Sequence, residues 1–268
     1  MTVNAYRGSA VVAIALSIGL LGSCTAPQPE PLPTPTVQPR AAAPTDTGSD
    51  LVGTWTISDP TAGTSSTLTL QEGGMWEAQH ECGPITGSWA SLGDYFVATA
   101  WGGTTACITG GDPRPTLPWV EKTHRIASSE SGWTLTDDAG AVTGTLTDGR
   151  WDGPAPRSTS VRPLPQGFTV GEITGRWVPM VTTPGESFVE FSGERWESSD
   201  GCNGNSGKWA DLGDGYFLST PPGPQTAIGC ENVPVADWVS ATRTAGFEGD
   251  ILVLFDAAGT ELGRLSPG

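Results

Sequence analysis

Lysine is nearly missing from this chain, with Lys122 and Lys208 the only two in 268 residues. Acidic residues outnumber basic ones 29 to 13, a formal net charge of −16. A surface of that sign repels phosphate backbones, which excludes nucleic-acid binding. Histidine is as scarce: His80 and His124 are the only imidazoles. No G-x-S-x-G elbow accompanies them, so nucleophilic catalysis is poorly supported. Cysteine pairs of the C-x₂₋₄-C kind are absent, which argues against a zinc site. There is no Gly triplet and no sustained heptad, so collagen and coiled coil are excluded. The single long apolar run is N-terminal, which excludes a polytopic membrane protein. Charged residues total 16%, well below the usual quarter or so.

What the chain has instead is glycine (37), proline (23) and tryptophan (11). A turn-rich chain with aromatic anchors reads as short strands rather than long helices. Its length allows two domains of average size.

Residues 1–23 read as a secretory signal, with Arg7 as the only charge and Ala10–Leu21 as the apolar region. Leu21-Gly22-Ser23-Cys24 follows. It resembles a bacterial lipobox, an aliphatic residue and two small ones before a cysteine. The resemblance implies diacylglyceryl attachment to Cys24, cleavage before it, and a lipid anchor on the extracytoplasmic face of the cell membrane. Residues 24–50 hold seven prolines, Pro27, Pro29, Pro31, Pro33, Pro35, Pro39 and Pro44. Fixed φ and the restraint on each preceding residue favour polyproline II. The segment is expected to be a stalk reaching at most roughly 80 Å.

From Leu51 the chain repeats itself at about 120 residues. Leu51-Val-Gly53-Thr-Trp55 matches Ile173-Thr-Gly175-Arg-Trp177, and Trp76-Glu77 matches Trp196-Glu197. Cys82, Gly87 and Trp89 match Cys202, Gly207 and Trp209, and Cys107 and Trp119 match Cys230 and Trp238. A period this long predicts two domains rather than a solenoid: residues 51–147 and 173–268. Residues 148–172 read as a Pro-rich linker that couples them weakly, with Trp151 and Phe168 available to dock it.

Each copy is expected to carry about seven short antiparallel strands and one helix. In copy 2 the strands fall near 173–179, 187–191, 195–199, 206–210, 216–220, 251–256 and 261–265. Val235–Ala245 lacks Gly and Pro and spaces Val235, Trp238, Val239 and Thr242 on one helical face. Its equivalent in copy 1 is Leu117–Ser129.

Gly175-Arg-Trp177, then Gly201-Cys202-Asn203-Gly204-Asn205-Ser206-Gly207, Thr226-Ala227-Ile228-Gly229-Cys230, the Trp238 helix and a closing hairpin at 252–265 stand in that order. This order resembles the META domain of bacterial envelope proteins. Copy 1 departs from it, with Glu81-Cys82-Gly83-Pro84 in place of the Gly-Cys-Asn turn. The resemblance implies two tandem, mainly β, lipocalin-like curved antiparallel sheets, each with one helix. It implies no general reaction; some members of the family are associated with envelope stress.

Setting Cys24 aside leaves four cysteines and three pairings. Secretion favours oxidation, and a bridge made before duplication is inherited by both copies. The expected disulfides are therefore Cys82–Cys107 and Cys202–Cys230. Asp211-Leu-Gly-Asp214-Gly215 lacks the spacing of a calcium loop and reads as a β-turn before Tyr216. Asn203-Gly204 reads as a tight turn tolerating left-handed φ. Eight tryptophans form four repeat-equivalent pairs, which predicts burial. Trp101, Trp133 and Trp151 have no counterpart and form the candidate ligand surface, with Trp101 and Trp151 expected to be the more exposed. No metal, cofactor or catalytic residue is expected. The sequence points to a non-enzymatic envelope lipoprotein with an interaction, maintenance or stress role. The partners expected are the membrane, through the lipid anchor, and a cell-wall glycan or envelope protein; the alternative function is a binding module for a cell-wall glycan or small amphiphile, and a hydrolase ranks third.

Overall fold

The computed structural model describes residues 43–45, 48–60, 63–80, 83–103, 117–150, 159–181, 185–224 and 233–268. The signal, Cys24, Cys82, Cys107, Trp151 and Cys230 lie outside the described residues. Residues Ala42–Gly268 form one compact unit. A helical turn, α1 (Gly48–Leu51), leads into β1 (Gly53–Asp59), β2 (Thr64–Leu70), β3 (Met75–His80), β4 (Gly83–Leu92) and β5 (Tyr95–Gly103). Helix α2 (Pro118–Lys122) precedes β6 (Arg125–Ser129), β7 (Gly132–Thr136) and β8 (Val142–Arg150). The second copy repeats this plan with β9 (Gly175–Pro179), β10 (Ser187–Ser192), β11 (Arg195–Asp200), β12 (Gly204–Gly213) and β13 (Tyr216–Ser219). Helix α3 (Val235–Ala241) follows, then β14 (Thr244–Glu248), β15 (Ile251–Phe255) and β16 (Glu261–Pro267).

Within each copy every sequential pair is antiparallel and hydrogen-bonded, and each copy closes on itself, β8 onto β1 and β16 onto β9. The architecture is mainly β: two tandem, lipocalin-like up-and-down barrels, each with one helix between its fifth and sixth strands. Closure removes the sheet edges that a curved open sheet would leave.

Period-two alternation builds the interiors. In β10, Ser187, Val189 and Phe191 are buried while Glu190 and Ser192 are exposed. In β11, Trp196, Ser198 and Asp200 are buried. Side chains fill both barrels: Ile57, Leu68, Leu70, Trp76, Ile85, Phe96, Leu135 and Leu146 in the first, and Val189, Phe191, Trp196, Phe217, Leu252, Leu254 and Leu265 in the second. The helices add to those cores, α2 through Trp119 and Val120, and α3 through Val235, Ala236 and Val239.

The expected long helices are shorter than their periodicity suggested, and each barrel has an eighth strand in consequence. Thr242 turns extended (ψ 135) and its Oγ1 donates to Trp238 O at 2.6 Å, which ends α3. Thr123 is likewise extended (ψ 130) after α2, with its Oγ1 paired to Thr143 Oγ1 at 2.6 Å instead. The residues read as the distal end of each helix are β6 and β14. The tight turn after β11 also differs from expectation, because Gly201 carries the positive φ (99°). Asn203 is buried, and its Nδ2 donates to Asp200 Oδ2 at 3.2 Å. The same carboxylate accepts the backbone N–H groups of Cys202 and Asn203 at 2.8 and 2.6 Å.

Part of the expected linker packs on the second barrel. Val161 is buried, Thr169 and Phe247 exchange backbone hydrogen bonds, and Phe168 packs edge-on against Phe255 at 5.0 Å. The barrels also meet directly, so the weak coupling expected of two domains on a linker does not hold. Strands β4 and β5 lie against β13 and β12. Between them Ala90, Leu92, Val97, Tyr216, Leu218 and Val161 form a separate buried cluster.

Candidate functional site

The seam between the barrels is flanked by two concave surfaces. Its symmetry follows from the duplication. Ala90, Leu92, Tyr95 and Val97 on β4–β5 are the repeat equivalents of Ala210, Leu212, Tyr216 and Leu218 on β12–β13, and all eight belong to the seam cluster. Strand β4 meets the equivalent of β5, and β5 meets the equivalent of β4. This reciprocity is the signature of an isologous, two-fold contact.

Two clefts flank the seam at equivalent places. The first, about 510 Å³, is lined by Val52, the Gly73-Gly74 turn, Trp89, Pro221, Asp237 and Arg243, among others. The second, about 350 Å³, is lined by Thr174, the Gly193-Glu194 turn, Trp209, Tyr95, Asp138 and His124, among others. Both volumes fall in the range of small-ligand sites, about 300–1,000 Å³. The polar chemistry differs between them. Arg243 faces the first cleft, with Nη1 donating to the carbonyls of Ser240 and Thr242 at 3.0 and 2.8 Å. At the equivalent place in the second cleft stands His124.

Polar contacts cross the seam from equivalent residues too. Ser88 Oγ donates to Pro221 O at 2.8 Å. Its counterpart, Lys208, donates from Nζ to Val120 O at 3.0 Å and Glu121 O at 2.8 Å. Those carbonyls belong to the last turn of α2, where a cation offsets the helix's negative end. Glu194 Oε2 lies 3.8 Å from the same ammonium. Burial pushes the Lys208 pKa below its ordinary value, against the opposing pull of Glu194 and Glu121.

The sign of the consequence is fixed. Between the lowered folded pKa and the ordinary 10.5, the unfolded chain holds a proton that the folded chain lacks. Stability therefore rises with pH across that window. Lys208→Met should remove the rise. Urea titrations of both proteins from neutral pH to 10.5 check this, and parallel stability–pH curves would count against it.

The sequence-based tryptophan sorting is met in part. Trp76, Trp89, Trp119, Trp177, Trp196 and Trp209 are buried, whereas Trp55 and Trp238 are only partly so. Trp55 and Trp177 make the same bond, Nε1 to Leu51 O at 2.8 Å and to Ile173 O at 2.7 Å. Trp89 and Trp209 stack on Phe96 and Phe217, with interplanar angles of 20° and 22°. Trp133 packs on the first core, so it serves that core rather than a ligand. Trp101 is half-buried at a β-bulge between β4 and β5. A Cβ on Gly223 would lie 3.1 Å from its Cδ1, so Trp101 packs against the second barrel. It is in the same exposure class as Trp55 and Trp238. Trp101 and Trp133 are thus both engaged in packing, one against the second barrel and one on the first core, and Trp151 lies outside the described residues.

Cys202 is disulfide-bonded, and its partner lies outside the described residues. Asp214 and Gly215 form the expected turn, with Gly213 N–H donating to Asp211 Oδ1 at 2.9 Å. No cluster of metal-ligating side chains occurs among the described residues. Lys208, Glu194 and His124 were not legible as a group. They come from β12, the β10–β11 turn and the segment after α2, and only the seam brings them together.

No family model, curated protein or solved structure matches the chain.

Proposed function

We propose that this chain is an extracytoplasmic lipoprotein anchored through Cys24, whose two META-like barrels serve a non-catalytic interaction role in the cell envelope. Its bridges would be Cys82–Cys107 and Cys202–Cys230. The observation that carries the interaction reading is the filling of both barrels by Trp76 and Phe96 and by Phe191, Trp196 and Phe217. A lipocalin-like barrel that carries an amphiphile needs a hollow interior. With the interiors filled, recognition passes to the outside, and the seam clefts are the concave surfaces suited to it. A wall glycan is the second reading, favoured by the first cleft, which sets Gln71, Glu72, Asp237 and Arg243 around apolar walls.

Two measurements test the proposal. Cys24→Ser should move the protein from the membrane to the soluble fraction and remove the lipid mass. A substituted protein that still pelleted with membranes and kept a lipid-shifted mass would overturn the anchor. Wild type and Asp237→Trp, which fills the first cleft from an exposed wall position, should then be compared as baits in detergent-solubilised envelopes and on purified wall glycan. A partner or glycan held by the wild type and lost by the variant supports the cleft. Equal capture by both would remove it as the binding surface.

A further inference from the structure

We propose that His124 is a pH-operated latch across one end of the barrel–barrel seam. The inference stands whether or not the clefts take a ligand. His124 follows α2, and its backbone is fixed on both sides: its N–H donates to Thr136 O at 2.9 Å and its carbonyl accepts from Phe96 N–H at 3.0 Å. The imidazole is the part free to respond. Its Nδ1 lies 2.6 Å from Asp138 Oδ2 in the same barrel. Its Nε2 lies 3.0 Å from Glu194 Oε1 in the other barrel.

A neutral imidazole carries one N–H, and its other nitrogen presents a lone pair. With a carboxylate oxygen at each nitrogen, either tautomer sets a lone pair against a negative oxygen. Only the imidazolium is attracted to both; Nε2 is buried and makes no hydrogen bond, so its tie to Glu194 is one of charge across 3.0 Å. The two short carboxylate contacts are therefore the arrangement that a positive charge on the ring would favour. On deprotonation the shorter contact, to Asp138, keeps the remaining proton, and the contact across the seam is the one lost. Glu194 then has a standing alternative in Lys208, 3.8 Å from its Oε2, and that ammonium stays anchored by Val120 O and Glu121 O.

The surroundings favour this exchange. Glu172, just before the second barrel, and Asp211 of β12 line the same cleft as His124, with Tyr95 of the first barrel. Arg125, the next residue, is committed elsewhere: it pairs with Asp94 at 2.7 Å and donates to Tyr95 Oη at 2.8 Å. The cleft is thus acidic, lined by Asp138, Glu172, Glu194 and Asp211 around the imidazole of His124. At the two-fold-related end of the seam Arg243 keeps its charge at all ordinary pH values, so that end provides an internal control.

Two amides report the two ends. Trp209 N–H donates to Glu194 O at 2.9 Å, and Trp89 N–H donates to Gly74 O at 2.7 Å. In the full chain carrying Cys24→Ser, hydrogen exchange corrected for intrinsic rates should show Trp209 protection falling about three- to fivefold from pH 5.5 to 7.5, the size of one partly screened ion pair. Trp89 protection should hold constant. His124→Gln and Glu194→Gln should each hold Trp209 at the high-pH level throughout. Glu194 is exposed enough that its variant keeps the fold even if the histidine variant does not. ¹⁵N spectra of the imidazoles should show both His124 nitrogens protonated at pH 5.5 and only Nδ1 at pH 7.5. Constant Trp209 protection in the parent chain, a pH response that persists in Glu194→Gln, or an Nε2–H tautomer at high pH would each overturn the latch.

Discussion

Trp196→Ala should destabilise the second barrel by about 3–5 kcal/mol, and Gly207→Ala should disrupt the same place from the other side. The two residues face each other across β11 and β12. Trp196 is fully buried. A Cβ on Gly207 would lie 2.5 Å from Trp196 Nε1 and 2.5 Å from Thr220 Oγ1. Neither neighbour can retreat, since the indole fills the core and Thr220 Oγ1 accepts the Lys208 N–H at 3.0 Å. The first barrel repeats the pairing with Trp76 and Gly87. There a Cβ would lie 2.5 Å from Trp76 Cε2 and 2.0 Å from the backbone oxygen of Thr99. The two sites differ in one respect. Trp76 Nε1 donates to Ser88 O at 3.1 Å and Thr99 O at 3.2 Å, whereas Trp196 Nε1 is buried without a partner. Trp76→Phe should therefore cost more than Trp196→Phe, by about the 1–3 kcal/mol that attends loss of a buried polar partner. Urea unfolding of the four variants measures all of this. Gly207→Ala with unchanged stability would show that the close approach is relieved.

These tryptophan–glycine pairs explain why the duplication was legible. A large ring crossing a bare backbone tolerates change on neither strand, so Trp76, Gly87, Trp196 and Gly207 stay in register while the loops around them diverge. The same constraint made most of the strands readable through alternation. It failed for β6 and β14. Thr244-Ala-Gly-Phe-Glu248 is short, carries a central glycine, and follows a helix whose apolar spacing runs on through Thr242. What ends the helix is a rotation of ψ at Thr242 and Thr123, and apolar periodicity does not encode it. The seam was illegible for a different reason. Ala90, Leu92, Val97 and Leu218 lie on outward faces where a lone barrel would place polar groups. Read one strand at a time, they add hydrophobicity without saying what covers it. Lys208 read as one of two scarce lysines, with no sign in the sequence that it reaches the carbonyls of the other barrel.

Leu218→Ala should cost about 2–5 kcal/mol, and that cost should appear first as lost coupling between the barrels. Leu218 is fully buried in the seam cluster rather than in either core. Leu92, also fully buried, belongs to the same cluster. A cavity there leaves the contacts of Trp76 and Trp196 untouched and removes apolar surface shared by the two barrels. Barrels joined only by a flexible linker would unfold independently, and a truncation in one would leave the other unmoved. Barrels joined by this seam should unfold together in the wild type, with the amides of the Trp76 and Trp196 strands losing protection at one urea concentration. In Leu218→Ala the two sets should separate. Leu92→Ala should have the same effect from the opposite side, and the double variant should cost less than the sum of its parts, because the residues share one cluster. Two separate transitions already in the wild type, or strict additivity in the double variant, would mean that the seam does not bind the barrels into one cooperative body.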